Sequence, residues 1–397
     1  MRRSWLLALM AIVGTAPAAA AQSLFAARGL GVPVAPVDGR VRALGGIGVG
    51  LLGLNTSLVN PAEVAGVGGR GVSAAFQPSG RSVELDGTQD DVGATRFPLL
   101  HVIYPLSGRL VATLGYGGFL DQSWGVVMQS NEVIGGETVL VRDVLESNGG
   151  LSQFRVGFAY SLTPSLAVGA AAGLYGGSVE RVITRTFLDD VLGPVSGFQT
   201  RVKWSERAPL LAAGIRWDPI PILRFGGSVT WAGDLDLDRR DDDGDGAGDE
   251  STRLPLQATA GASAYLGPRV IATVGAAWAG WNVAGVVGPG LDGAVESAGD
   301  TWDFGGGIEW AGPTAGNREF PIRLGFHYGQ LPFTLRGSAP TEWSASLGLG
   351  LRVAPSEYGP IASADLAFER GARGDVGTTG LAEQFWRVTL SLSLFGN

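Results

Sequence analysis

Apolar and polar residues alternate strictly along much of the chain. Over 343–353, Trp343, Ala345, Leu347, Leu349, Leu351 and Val353 form one face, and Ser344, Ser346, Gly348, Gly350 and Arg352 the other. A period of two is the signature of a strand with one apolar and one polar face. The same alternation recurs over 302–310, 320–329 and 386–394. Six short turns carry Pro or Gly, at 105–108, 162–165, 218–221, 266–268, 312–314 and 354–356. They alternate with longer or more polar links near 80–95, 132–135, 188–199, 238–250, 285–297, 335–339 and 371–381. The strands predicted between them lie near 71–79, 96–105, 109–131, 136–162, 165–187, 200–217, 221–238, 251–266, 269–284, 298–311, 319–334, 340–353, 359–370 and 382–395. Their number is fourteen and even. Within 136–162, Gly149-Gly150 marks a candidate bulge or break.

A soluble sandwich alternates in the same way, with its apolar face inside. Three features choose a closed transmembrane barrel instead. The polar face is rich in Gly, Ser and Ala and poor in charge, which suits a crowded lumen. Aromatics fall at strand ends (Tyr104, Tyr160, Trp217, Trp231, Trp278, Trp302, Trp310, Trp343), as in interfacial girdles. Many strands reach ten residues or more, beyond the usual five or six. Short turns on one side and longer loops on the other put the C-terminus on the periplasmic side of an outer membrane.

Composition narrows the class further. The 397 residues are 45% hydrophobic and 17% charged, which is too apolar for a disordered chain. Glycine, at 64 residues, argues against a helical bundle. The single long apolar run is N-terminal, so a polytopic helical membrane protein is excluded. There is no cysteine, hence no disulfide, thiolate metal site, cysteine nucleophile or lipoprotein anchor. A net charge of −8 with no basic patch excludes nucleic acid as a partner. Met1-Arg2-Arg3, the apolar stretch Leu6–Val13 and Ala19-Ala20-Ala21 form a secretory signal peptide over 1–21.

Residues 22–70 lack alternation. They read Arg42-Ala43-Leu44-Gly45-Gly46-Ile47-Gly48-Val49-Gly50 and then Asn60-Pro61-Ala62-Glu63-Val64-Ala65. Here the chain resembles the FadL-type outer-membrane transporters, including their relatives in the type nine secretion apparatus. The resemblance rests on the Leu44-Gly45-Gly46 stretch, the Asn60-Pro61-Ala62 motif, Gly118–Trp124 and Gly149–Ser152. It implies a fourteen-stranded antiparallel barrel over 71–397, plugged by an N-terminal hatch over 22–70. It also implies a monomer that takes up long-chain fatty acids or hydrocarbons passively and is inserted into outer-membrane lipid by the barrel assembly machinery. A kinked third strand would give such a barrel a lateral opening, and Gly115, Gly117 and Gly118 are the candidates for the kink. The C-terminal strand departs from an assembly signal, because Phe395 is out of phase with Leu390, Leu392 and Leu394. The alternatives are a non-transporting barrel that binds secreted proteins, and an outer-membrane hydrolase.

The candidate chemistry is sparse. Gly48–Gly53 matches G-x-G-x-x-G, but position 68 is glycine and no βαβ pattern follows, so these are hatch glycines. Asp241, Asp243, Asp245 and Asp249 have the spacing of a calcium loop, and Thr252 stands where the bidentate Glu belongs. This is at most a weak calcium site on an outer loop, and no other cofactor is expected. His101 and His327 face inward by parity, with Asp303 or Asp365 as acidic partners. No G-x-S-x-G accompanies them, so the protein is read as not an enzyme. Arg216, Arg224, Arg323 and Arg352 also face inward. They need carboxylates or carbonyls, and Glu309, Asp365 and the hatch backbone are the candidates. Such contacts would salt-bridge the lumen or latch the hatch.

Overall fold

The computed structural model describes residues 23–85, 88–134, 136–188, 197–241, 249–281, 299–354 and 361–396. Fourteen antiparallel strands close into a barrel. They are β1 (Arg70–Leu85), β2 (Thr88–Pro105), β3 (Leu110–Asp121 and Trp124–Ile134), β4 (Glu137–Thr163) and β5 (Leu166–Phe187). Next come β6 (Gly197–Ile220), β7 (Leu223–Ala232 and Asp234–Asp241), β8 (Asp249–Arg253 and Gln257–Tyr265) and β9 (Val270–Gly280). The last five are β10 (Asp300–Trp310), β11 (Arg318–Glu319 and Ile322–Gln330), β12 (Thr341–Val353), β13 (Ala362–Asp375) and β14 (Leu381–Gly396). Closure is between β14 and β1, in register from Arg70↔Gly396 to Leu85↔Leu381. Among the described residues no helix is long and apolar enough to cross a membrane; the crossing is made by strands.

The alternation sorts as lipid requires. Trp343, Leu347 and Leu349 of β12 are about half exposed on the outside, while Ser344 and Ser346 are buried within. A closed ladder satisfies every backbone group, so the outer face can be wholly apolar.

Two expectations change. The polar stretch 80–95 is mostly strand, since β1 and β2 stay paired to Leu85↔Thr88. Ladder hydrogen bonds do not need apolar side chains, so the pairing outruns the alternation. Strand β4 also runs unbroken through Gly149-Gly150. The break falls in its partner: β3 stops at Asp121 and resumes at Trp124.

Residues 23–69 lie against the inner wall. They begin at the long-link end, where Phe25 packs with Trp124, Phe333 and Leu381. They end at the short-turn end, where Val64 and Ala65 pack with Ile103, Ala159 and Ala167. Phe395 joins this last cluster, so its phase departure turns the ring inward onto the segment. A two-residue strand, Val32–Pro33, pairs with Asp121 and Leu120 of β3. The helical turn α1 (Gly39–Arg42) is capped by Asp38, whose carboxylate accepts from the Val41 amide.

Glycine density follows from this packing. A Cβ on Gly45 would lie 2.4 Å from the Gly306 nitrogen, and one on Gly50 would lie 2.4 Å from the Gly261 oxygen. Both residues have positive φ, at 91° and 68°. The segment's backbone thus rests directly on the backbone of the wall.

Candidate functional site

Arginine fixes the N-terminal segment. Arg40 of α1 donates Nε to Glu309 Oε2 (2.7 Å) and Nη2 to Glu309 Oε1 (3.2 Å). It also donates to the carbonyls of Leu52 and Leu54, both at 2.8 Å. Glu309 accepts at the same time from Arg323 Nε (2.7 Å) and Arg352 Nη2 (2.6 Å). Arg323 reaches Asp365 at 2.8 Å. Burial alone would lower the Arg40 pKa; the Glu309 charge and hydrogen bond outweigh it, and the guanidinium is held above its ordinary value. One carboxylate therefore ties the segment to β10, β11 and β12.

Arg216 and Arg224, the other two arginines expected to face the segment, hold its carbonyls. Arg216 donates to the oxygens of Ala65 (2.7 Å) and Glu63 (3.1 Å). Arg224 donates to Leu51 (3.1 Å) and Gly53 (3.2 Å) and pairs with Asp218. Leu44 is buried beside Val37, Val41 and Leu51. Gly46, with φ 79°, leaves room for the Arg42 guanidinium. Asn60 donates to the Ile215 carbonyl (3.0 Å) and accepts from the Ala62 amide (3.0 Å). Pro61 lies against Gly169, and Ala62 is fully buried. A run of turns follows rather than a helix. Glu63 accepts from Gly50 N (2.7 Å) and Asn60 Nδ2 (3.2 Å). Its burial outweighs the pull of Arg224 and those hydrogen bonds, so its pKa is raised.

The third strand is discontinuous, five residues beyond Gly117 rather than at the glycines. Gly115 and Gly117 are in regular register with His101 and Leu99, and Gly118 precedes a one-residue bulge at Phe119. The break at Gln122-Ser123 is held by side chains. Ser147 Oγ donates to the Gln122 carbonyl (2.9 Å), Ser123 Oγ to the Gly149 carbonyl (3.0 Å), and Gln122 Nε2 to Glu206 (3.0 Å). Strand β2 pairs with β3 only from Pro105 to Leu99. Among the described residues, Trp124–Ile134 pairs with β4 alone. At this seam Val32–Pro33 takes the vacant edge of β3, and Arg96 of β2 forms an ion pair with Asp121.

A cavity of 210 Å³ lies behind the seam, on the long-link side of the segment. Val34, Leu58, Phe119, Trp278, Trp281 and Leu331 are among its apolar lining. Gln77, Arg96, Gln153, Arg155, Gln257 and Arg387 are among its polar lining.

Other predicted residues fall in or beside this frame. His101 is buried, with Nδ1 2.8 Å from the Thr56 oxygen. His327 Nε2 lies 3.3 Å from Asp303 Oδ1, and both line the cavity; Asp365 belongs to Arg323 instead. Asp243 and Asp245 lie outside the described residues, and Asp241 and Asp249 are strand termini. Sequence reasoning passed over Arg40, Arg42, Arg96 and Arg155. The first two carried a usable signal: a cation inside an otherwise apolar, Gly-rich segment needs a buried partner.

A family model described as BamG matches residues 1–203. No curated protein matches the chain. The fold is similar to that of a Pseudomonas aeruginosa FadL homologue, at 15% identity and a TM-score of 0.60, covering 92% of this chain and 98% of that one. It is similar to the Ralstonia pickettii toluene transporter TbuX at 18% identity and 0.60, covering 94% and 100%. For the P. putida toluene transporter TodX the values are 14%, 0.55, 93% and 99%. These likenesses give the chain the fold of the FadL-type barrels.

Proposed function

We propose a function from the premise that the chain belongs to the BamG family, on a FadL-type fold. The protein takes up hydrophobic small molecules passively. Residues 23–69 act as the hatch that closes the lumen, and the seam beside β3 is the side exit. The observation that carries this reading is the seam itself. Half of β3 has no partner on the β2 side among the described residues, and a cavity lies directly behind it. The wall is thus interrupted at the seam, where a strand edge lacks its neighbour. Similarity in fold to the toluene transporters TbuX and TodX supports an apolar cargo.

The test is uptake of a labelled aromatic hydrocarbon and a labelled fatty acid by cells with and without the barrel. Faster uptake of either supports the reading. No gain, with folded barrel present in the outer membrane, refutes it.

A second reading, a non-transporting barrel working with the barrel assembly machinery, is favoured by the family's name and by strand length. Strands β4, β5 and β6 have 27, 22 and 24 residues, where about ten cross a membrane. The excess stands outside as a flange on which a partner could rest. Co-purification with the assembly machinery, without a gain in uptake, would favour this reading over transport.

A further inference from the structure

Strand β3 continues past its break as an open edge. Its second half, Trp124–Ile134, pairs with Glu137–Ser147 of β4 and with no other strand among the described residues. The exposed apolar residues of β4 lie lower, at Phe154, Val156, Phe158, Tyr160 and Leu162. That stretch is about the length of a membrane-crossing strand, so the open edge stands on the outer side of the lipid.

An edge presents a row of unpaired N–H and C=O groups, and proteins blunt such edges with lysine, proline, bulges or short length. This one has none of these. It is 11 residues long, contains no lysine or proline, and runs in unbroken register with β4. Its single charge, Glu132, is held by Arg185. Val127, Met128 and Val133 are 55%, 49% and 73% exposed. The edge of β2 beyond Leu99 is different, since it carries Asp90, Asp91, Arg96 and Pro98. On the face that β3 shares with the buried Trp124, Val126, Leu145 and Ile183 are successive cross-strand neighbours and form an apolar row leading to the edge. The chain itself already adds a strand to this edge: Val32–Pro33 pairs antiparallel with Asp121 and Leu120, just short of the break.

We propose that the open edge of β3 takes an extended polypeptide segment by strand addition, one with apolar residues at every second position and no net charge. Backbone hydrogen bonds to Trp124–Ile134 hold the segment, as the ladder holds Val32–Pro33 lower on the same strand. Alternate side chains of the segment extend the row of Val126, Leu145 and Ile183, and those between them meet Val127 and Val133. An uncharged segment fits because the edge offers no free charge to pair with. The proposal does not depend on whether cargo passes the seam.

The probe is a fluorescent peptide in which valine alternates with serine and threonine, titrated onto the purified full barrel in detergent. A twin peptide has every backbone nitrogen methylated, which keeps the side chains and removes the donors. Binding is read as fluorescence anisotropy, and hydrogen exchange locates it. In the barrel alone, alternate amides of Trp124–Ile134 should exchange fast, because an edge strand turns every second N–H away from its one partner. The peptide should slow those amides, and the methylated twin should not bind. Val127→Lys/Val133→Lys should weaken binding about fivefold, the loss of two cross-strand contacts, with the heat-dependent gel shift showing that the variant is folded. Five outcomes overturn the proposal: no binding, equal binding of the twin, protection confined to other strands, amides of 124–134 already slow in the barrel alone, or slowing that needs only a higher barrel concentration. The fourth means that the chain covers its own edge, and the fifth that a second copy does. None of them bears on uptake.

Discussion

At the scale of single residues, Glu309 has the largest consequence. It is 1% exposed and accepts from three arginines on three elements, one of them in the N-terminal segment. Removing one side of a buried charge network leaves the other uncompensated, at a cost of about 3–5 kcal/mol. Glu309→Gln should therefore loosen the segment while the ladder stays intact. Limited proteolysis should show cleavage within 40–66 in the variant and protection in the parent, with the barrel's heat-dependent gel shift kept. Equal protection would mean that Arg40 contributes nothing to docking.

Glu63 gives a pH dependence with a definite sign. Its folded pKa is raised, chiefly by burial. A raised carboxyl binds its proton more tightly when docked, so its contribution is full below the ordinary carboxylate pKa and is lost as pH rises through the folded value. Protection of the segment should decline as pH rises above the ordinary carboxylate range. Glu63→Gln should flatten that slope, and an unchanged slope would assign it to another group.

Much of the residue-scale picture could be read in the sequence. Strand parity placed Arg216, Arg224, Arg323, Arg352, Glu309 and Asp365 on the inner face, because a period of two leaves no other choice once lipid claims the apolar face. It could not say which arginine meets which carboxylate. Arg323 joins Glu309 and Asp365 through cross-strand register, and register is a property of the closed sheet. Arg155 carried no signal in the sequence, because which carboxylates stand near an inward arginine is visible only in the folded barrel.

At the scale of elements, the N-terminal segment and β3 form one device. Val32–Pro33 occupies the edge of β3 at Asp121 and Leu120, just above the last pair between β2 and β3. The Arg96–Asp121 ion pair clasps the same place from β2. Asp121→Asn should weaken this clasp and raise uptake through the seam, with no change in the amount of folded barrel; unchanged uptake would remove the clasp from the account. Deleting residues 22–66 removes the proposed hatch and spares all fourteen barrel strands. The deleted barrel should insert and show raised single-channel conductance to small ions. Unchanged conductance would mean that the segment obstructs nothing.

The position of the break was hidden in the sequence for a physical reason. Glycines at 115, 117 and 118 are the usual mark of a bend, but here Gly115 and Gly117 make room for Leu58 and Pro36 of the segment. The bend is made instead by Ser123, Ser147 and the Gln122 backbone, through side-chain hydrogen bonds that substitute for two missing rungs. Such hydrogen bonds depend on residues 25 positions apart and leave no local pattern.

At the scale of the whole molecule, the alternation of short turns and long links defined the strand number from sequence alone. Loop extents were less legible, because polar residues continue the ladder above the lipid as readily as they form a turn. The central claim is that cargo leaves the cavity through the seam held by Val32–Pro33. The chain has no cysteine, so a designed disulfide has no competitor. Pro33 and Leu120 are antiparallel partners, a geometry that a disulfide can bridge. The most direct measurement is uptake of a labelled apolar probe by cells carrying the Pro33→Cys/Leu120→Cys barrel, oxidised and then reduced. The account predicts uptake at the level of cells without the barrel when the pair is oxidised, and recovery on reduction. Uptake that stays the same in both states would contradict it.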